Sequence, residues 1–306
     1  MRRKKPRSPF PQRDGLDAAR LSTPASGAWA TMRDHLVDRL PVEPAEVDRL
    51  LREQRVAGPD GLVDATTPFA PRTSLWIQRD PEPEVPVPFD VDVVHRDDDV
   101  VVADKPHFLA TTPRGGHITE TALVRLRREL ELPELSPAHR LDRATAGLVL
   151  FTARPEVRRD YQLLFQDRQV HKEYLAVAPH VPGLALPRTV RSRIVKERGV
   201  LQAREEPGEP NAETHVELLD RRGGLGLYRL VPHTGQTHQL RVHLAALGAP
   251  ILGDELYPQV RQRAEDDFTE PLQLLAAVLE FDDPRTGRRR RFESRRELEK
   301  WAHRPQ

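Results

Sequence analysis

The sequence predicts an α+β protein, with a mixed β-sheet and flanking helices in its larger part and a smaller unit ahead of it. Three observations lead there. Apolar, β-branched runs at 100–103 and 147–151 are interspersed with helical apolar spacing, as at Leu123, Leu126 and Leu130. The chain has neither a Gly-rich dinucleotide turn followed by an acidic residue nor a phosphate loop ending in Gly-Lys-Ser/Thr. Nucleotide-cofactor chemistry therefore lacks its usual signature. The tract PEPEVPVP at 81–88 reads as a stiff spacer between the two parts.

In chain order, residues 1–25 have no sustained apolar period and read as a basic, flexible arm. Residues 26–80 then form the small unit. Met32, Leu36 and Leu40 fall at helical spacing. Pro44 suits the first turn of a second helix that places Val47, Leu50 and Leu51 on one side. The segment RVAGPDGLVD reads as strand, turn and strand.

The larger part, 89–306, opens with Val93 and Val94, a turn at 96–99, and a strand that Pro106 ends. Thr119 is positioned to cap the Leu123, Leu126, Leu130 helix. A helix over 155–166 places Val157, Tyr161 and Leu164 on one face and leads into a strand at 170–177. Strands are expected at 213–219 and 225–230, then a short helix from Thr237 bearing Leu240, Leu244 and Leu247. The last strand is expected at 275–281.

Forty-eight Lys and Arg balance 47 Asp and Glu, so a polyanion site has to come from local clustering. Two runs stand out: Arg2, Arg3, Lys4, Lys5 and Arg7 at the start, and 288–291 with Arg295 and Arg296 near the end. They read either as phosphate contacts or as a solubilising tail and a solvated hairpin. The absence of cysteine removes disulfides, thiolate nucleophiles and Cys-based metal sites. The basic start lacks the apolar stretch of about 7–15 residues that a signal peptide needs. No run reaches the roughly 18 apolar residues of a membrane span. A soluble, cytoplasmic monomer is expected.

Two polar clusters carry candidate chemistry. In HRLDRATAG at 139–147, Asp142 is set between Arg140 and Arg143 directly before an apolar strand. Neighbouring guanidiniums favour a carboxylate's ionised form and suit it to act as nucleophile or anionic base. A loop salt bridge is the plain alternative. In HTGQTHQLRVH at 233–243, turn amides, a helix start and Arg241 can hold an anionic group. His238 and His243 are five apart, which fits a helical zinc pair poorly, so no metal is expected. Lys172 and Tyr174, two apart in a strand, share a face.

Together with ADKPHFL at 103–109, HKEYLA at 171–176 and ILGDELY at 251–257, these blocks resemble the RluA class of RNA pseudouridine synthases in order and separation. The resemblance covers about 90–292. It implies a mixed sheet split by a catalytic cleft, with Asp142 as the catalytic aspartate, Tyr174 as the active-site tyrosine and Arg241 as the active-site arginine. Ala146 and Leu275 depart from the family pattern, which often has a small polar residue and a His there. Residues 29–78 resemble, weakly, the small RNA-binding module many members carry.

The implied reaction cuts a uridine N-glycosidic bond, turns the base and joins C5 to C1′, with no cofactor. Asp142 would start it, by attack at C1′ or by assisting glycal formation. Tyr174 would stack on the base and accept or relay a proton, and Arg241 would pair with Asp142. Arg140, Arg143, Thr145, Lys172 and Gln239 are the candidate substrate-binding residues. The partner would be structured RNA with a flipped uridine, ribosomal RNA favoured over transfer RNA. A catalytically silent RNA-binding protein is the main competing reading. A glycoside hydrolase would need a second carboxylate, for which Asp254 and Glu255 are available.

Overall fold

The computed structural model describes residues 8–302. It divides into two compact units, Met1–Pro83 and Glu84–Gln306, so the boundary falls inside the Pro-rich tract.

In the first unit, β1 (Ala19–Ser22) is followed by α1 (Met32–Arg39), α2 (Pro44–Arg52), β2 (Val56–Gly58), β3 (Gly61–Leu62) and β4 (Ser74–Ile77). Helix α1 starts where the Thr31 hydroxyl accepts from the Asp34 N–H while the Asp34 carboxylate accepts from the Thr31 N–H. The sheet order is β1-β4-β2-β3. Leu36, Val47, Leu50, Val56, Leu75 and Ile77 pack between the helices and this sheet. The flexible arm expected over 1–25 needs correction, because Ala19 to Ser22 pair in register with Ile77 to Ser74. Those residues satisfy an edge whose partner lies more than 50 positions away, a pairing with no local signal. The cluster from Arg2 to Arg7 lies outside the described residues.

The second unit comprises β5 (Asp92–Arg96), β6 (Val100–Lys105), α3 (Ala122–Glu129), β7 (Ser136–Pro137), β8 (Ala146–Thr152), α4 (Arg158–Gln166), β9 (His171–Pro179), β10 (Arg188–Val195), β11 (Arg204–Glu206), β12 (Ala212–Arg222), β13 (Leu225–Pro232), α5 (Gln239–Ala246), β14 (Leu274–Asp282), β15 (Arg289–Glu293) and α6 (Glu299–Ala302). Among the described residues these strands make one eleven-stranded mixed sheet, ordered β11-β10-β12-β13-β9-β14-β8-β6-β5, with β15 on β14 and β7 on β8.

Strand alternation explains the continuous apolar run of β6. Val101 and Ala103 face α3, with Leu123 and Leu126, while Val100 and Val102 face α4, with Tyr161 and Leu164. Both faces are covered, so polar alternation has no place there. Against β9, β12 and β13, α5 buries Leu240 and Leu244 beside Ala176, Val216 and Leu230.

Three expectations shift. Thr121, not Thr119, caps α3, its hydroxyl accepting from the Val124 N–H. Thr119 instead donates to Glu84, whose carboxylate also accepts from the N–H groups of Ile118, Thr119 and Glu120. The second half of the tract 81–88 is thus fastened to the second unit rather than spanning free. Finally, β15 follows β14, and the polar strands β10 and β11 were not anticipated. Arg188–Val195 is exposed along much of its length, so it lacks the apolar alternation by which a strand is recognised.

Candidate active site

Three strand ends bring the site together. Strand β14 pairs in parallel with β8 at Ala276↔Gly147 and antiparallel with β9 at Ala276↔Tyr174. Gly147 has φ +112, and a Cβ there would lie 2.3 Å from the Ala276 carbonyl oxygen, so only glycine permits the contact. The loop delivering Asp142 enters β8 just before it, and Tyr174 lies two strands away.

That loop is held by the segment after β6. Buried Lys105 donates to the carbonyls of Pro106, Leu109 and Arg143 at 2.9, 2.8 and 3.3 Å. His107 Nδ1 donates to the Ala144 carbonyl at 2.8 Å, and the Thr111 hydroxyl exchanges bonds with the Leu141 backbone at 2.9 and 3.1 Å. Burial lowers Lys105 to about 7 and His107 to about 4. ADKPHFL and Thr111 therefore serve as the frame of the Asp142 loop. No local sequence feature assigns them that role, because each bond spans 30 or more residues except those Lys105 makes to its own turn.

Arg241 is nearly buried and faces two carboxylates. Its Nε and Nη2 donate to Asp254 at 2.8 and 2.7 Å, and its Nη1 lies 3.5 Å from Asp142 Oδ2. Asp254, wholly buried, also accepts from the Leu256 and Tyr257 N–H groups. The expected Arg241–Asp142 pair is thus the longer of two contacts. Burial opposes the Arg241 charge, but Asp254 and then Asp142 outweigh it and raise its pKa. Gly253, with φ +73 and a Cβ position 2.3 Å from the Pro271 carbonyl oxygen, lets the chain place Asp254 there.

The remaining expected residues separate by what they touch. Tyr174 lines the cleft, and burial followed by the Asp142 charge raises its hydroxyl well above the usual phenol range. Lys172 lines it too, its charge disfavoured by burial, with no hydrogen bond or ion pair among the described residues. Arg140 is exposed, whereas Arg143 donates to the Phe108 carbonyl at 3.3 Å. Thr145 is buried, its N–H closing the Asp142 turn at 3.1 Å. Gln239 uses its whole amide internally, accepting from Thr234 and Gln236 and donating to Glu213 and Thr214. It fixes the start of α5 to the sheet and has no group left for a substrate. His139 is also structural, its ring stacked 4.2 Å from Phe165 and its Nε2 accepting from the Leu150 N–H.

These groups surround a cavity of about 1010 Å³. Arg114, Arg140, Arg143, Arg168, Lys172 and Lys196 line it with Arg241, and Asp142 is its one acidic lining residue among those described. Asp254 is consumed by Arg241, and Glu255 pairs with Arg263, so the paired carboxylates of a glycoside hydrolase are not available here. One accessible carboxylate in a cationic cleft defines an enzyme-like site for a polyanion.

Comparison with known proteins gives the class a name. Residues 99–246 match the family described as RNA pseudouridylate synthase. The chain is 31% identical over 207 residues to the dual-specificity RNA pseudouridine synthase RluA of Vibrio cholerae, covering 64% of this chain and 79% of the relative. It is 37% identical over 166 residues to the human pseudouridylate synthase RPUSD2, 53% of this chain but only 30% of that longer protein. The solved structure of human RNA pseudouridylate synthase domain containing 1 aligns with a TM-score of 0.54 at 25% identity, over 67% of this chain and 83% of that one. The chain belongs to the RluA class of RNA pseudouridine synthases. No helix among the described residues is long and apolar enough to cross a membrane.

Proposed function

We propose that this enzyme isomerises particular uridines of structured RNA, ribosomal RNA ahead of transfer RNA, with Asp142 as the carboxylate that acts at C1′. The observation that carries the reading is the single acidic side chain in a large cleft whose other charged lining residues, among those described, are Arg and Lys. The cleft cations without an ion pair among the described residues, Arg114, Arg140, Arg168 and Lys172, attract the phosphates, and a flipped uridine brings its C1′ to the one anion. Arg241, locked by Asp254, aims and balances that anion at 3.5 Å. Tyr174, which lines the cleft, stacks on the target base and accepts or relays a proton there. Arg140, Arg168 and Lys172 contact backbone phosphates around the target. Thr145 and Gln239 act indirectly, through the Asp142 turn and the start of α5.

The overall change is an isomerisation, so electrons balance without a redox carrier. The small unit over 26–80 adds RNA recognition, and the protein works as a cytoplasmic monomer. The Vibrio cholerae relative is described as dual-specific, so both RNA classes belong in the test. Pseudouridine mapping of ribosomal and transfer RNA from cells lacking this gene is expected to lose one or a few positions. They return with the wild-type gene and not with Asp142→Asn. An unchanged map refutes the assignment and favours an RNA-binding protein without turnover.

A further inference from the structure

The loop between Thr111 and Thr121 carries Arg114 and His117 to the rim of the cleft. Little in the loop itself fixes it there. Residues 113–116 are exposed, and a Cβ added at Gly115 or Gly116 would meet nothing within 4 Å. The tip is closed by two backbone bonds, from the Arg114 N–H to the His117 carbonyl at 2.8 Å and from the His117 N–H to the Arg114 carbonyl at 3.2 Å.

Both ends of the loop are anchored, each in a different way. At its start, Thr111 is bonded to Leu141 in the Asp142 loop. At its end, the N–H groups of Ile118, Thr119 and Glu120 converge on the Glu84 carboxylate at 2.9, 2.6 and 3.2 Å, and the Thr119 hydroxyl donates to it at 2.8 Å. Three successive N–H groups aimed at one point suit an anion, and a charged acceptor strengthens each bond. Burial opposes the Glu84 charge, but these bonds outweigh it and lower its pKa. The clasp is closed from the other side as well. Glu120 accepts from the Val87 N–H at 2.8 Å and pairs with Arg125, which donates to the Val87 and Phe89 carbonyls at 2.7 and 2.6 Å. The segment 84–89, which follows the small unit in the chain, therefore grips the far end of the Arg114 loop.

We propose that Glu84 is a positioning residue for RNA capture, holding the 111–120 loop so that Arg114 meets a backbone phosphate at the rim of the cleft. This rests on the reading that RNA phosphates occupy the cleft. A cation on an unheld loop has to order that loop on binding, and the entropy lost is subtracted from the contact. With Glu84 in place the loop is ordered beforehand, and Arg114 gives its full attraction. Glu84 is not among the residues lining the cleft, so its own charge stays off the RNA path while its bonds act there through the backbone. A brace that merely stabilised the fold would leave Arg114 with the same contribution whether or not Glu84 were present.

The test uses the full chain with transcripts of ribosomal RNA and of a transfer RNA pool, and reads affinity by filter binding across a salt series. Arg114→Gln is expected to weaken binding roughly 2–5-fold and to flatten the slope of log affinity against log salt by about 0.7–0.9, one phosphate contact. Glu84→Ala is expected to cause the same two changes, whereas simple removal of a negative charge would tighten binding to a polyanion. The double variant is expected to lose no more than either single one. In single-turnover assays the loss falls on the protein concentration needed for half-maximal rate more than on the saturating rate. Glu84→Gln keeps an acceptor oxygen without the charge and is expected to fall between wild type and Glu84→Ala. It carries the same cycle should circular dichroism show Glu84→Ala unfolded. Additive losses in the double variant overturn the proposal, because Arg114 then makes its contact without Glu84. Wild-type or tighter binding by folded Glu84→Ala overturns it too, as does an Arg114→Gln indistinguishable from wild type. A wild type that binds neither transcript pool in a salt-dependent way fails the reading of the cleft as an RNA site and removes this step with it.

Discussion

Two arginine-rich regions of the synthase unit look alike in sequence and differ in what faces them. In the β14–β15 hairpin, Arg289 pairs with Glu280 at 2.7 Å, Arg290 with Asp283 at 2.8 Å, and Arg291 with Glu280 at 2.9 Å. Arg296 is likewise spent on Asp92 and on the Asp104 carbonyl. The most concentrated basic run is therefore largely neutralised by its own sheet. The cleft cations are spread over several segments, and Arg114, Arg140, Arg168 and Lys172 have no ion pair among the described residues. A polyanion is drawn by uncompensated charge, so the scattered set outweighs the visible run.

The largest expected effect marks the centre of the cleft. Asp142→Asn keeps size and removes the charge, and single-turnover rate is expected to fall at least ~10³-fold, about 4 kcal/mol of transition-state stabilisation. RNA affinity is expected to persist, since it draws on many phosphate contacts. Near wild-type turnover by a folded Asp142→Asn, checked by circular dichroism, breaks the assignment.

The comparison itself is sharpened by a double substitution on each side. Arg168→Ala with Lys172→Ala is expected to weaken RNA binding and flatten the slope of log affinity against log salt by about 1.5, from roughly 0.7–0.9 per phosphate contact. Filter binding across a salt series reads this directly. Arg289→Gln with Arg291→Gln is expected to change the slope least, by less than about 0.5, because those charges are already paired. Equal slope changes in the two doubles would mean that the hairpin ion pairs open for RNA.

Local pattern made much of the fold legible. The apolar spacing of Met32 and Leu36, of Val47, Leu50 and Leu51, and of Leu123 and Leu126 matches α1, α2 and α3. The buried run at 147–151 matches β8. The candidate residues were legible as well, but only through motif resemblance, since an Arg-Asp-Arg string alone also describes a surface salt bridge. Strand β1 escaped because its pairing is non-local, and β10 because its exposed face carries arginines.

By itself, then, the sequence determined which segments coil or extend, since helix and strand periods are local, and it marked Asp142, Tyr174 and Arg241 by their motifs. Tertiary structure decided what those side chains meet. It gave Arg241's two-pronged contact to Asp254, spent Gln239 inside the fold, neutralised Arg289, Arg290 and Arg291, and set the His238 ring between Tyr257 and Asp142. Each outcome depends on the distance between groups far apart along the chain, or on a backbone angle such as the +59° at His238, and neither is encoded in residue spacing.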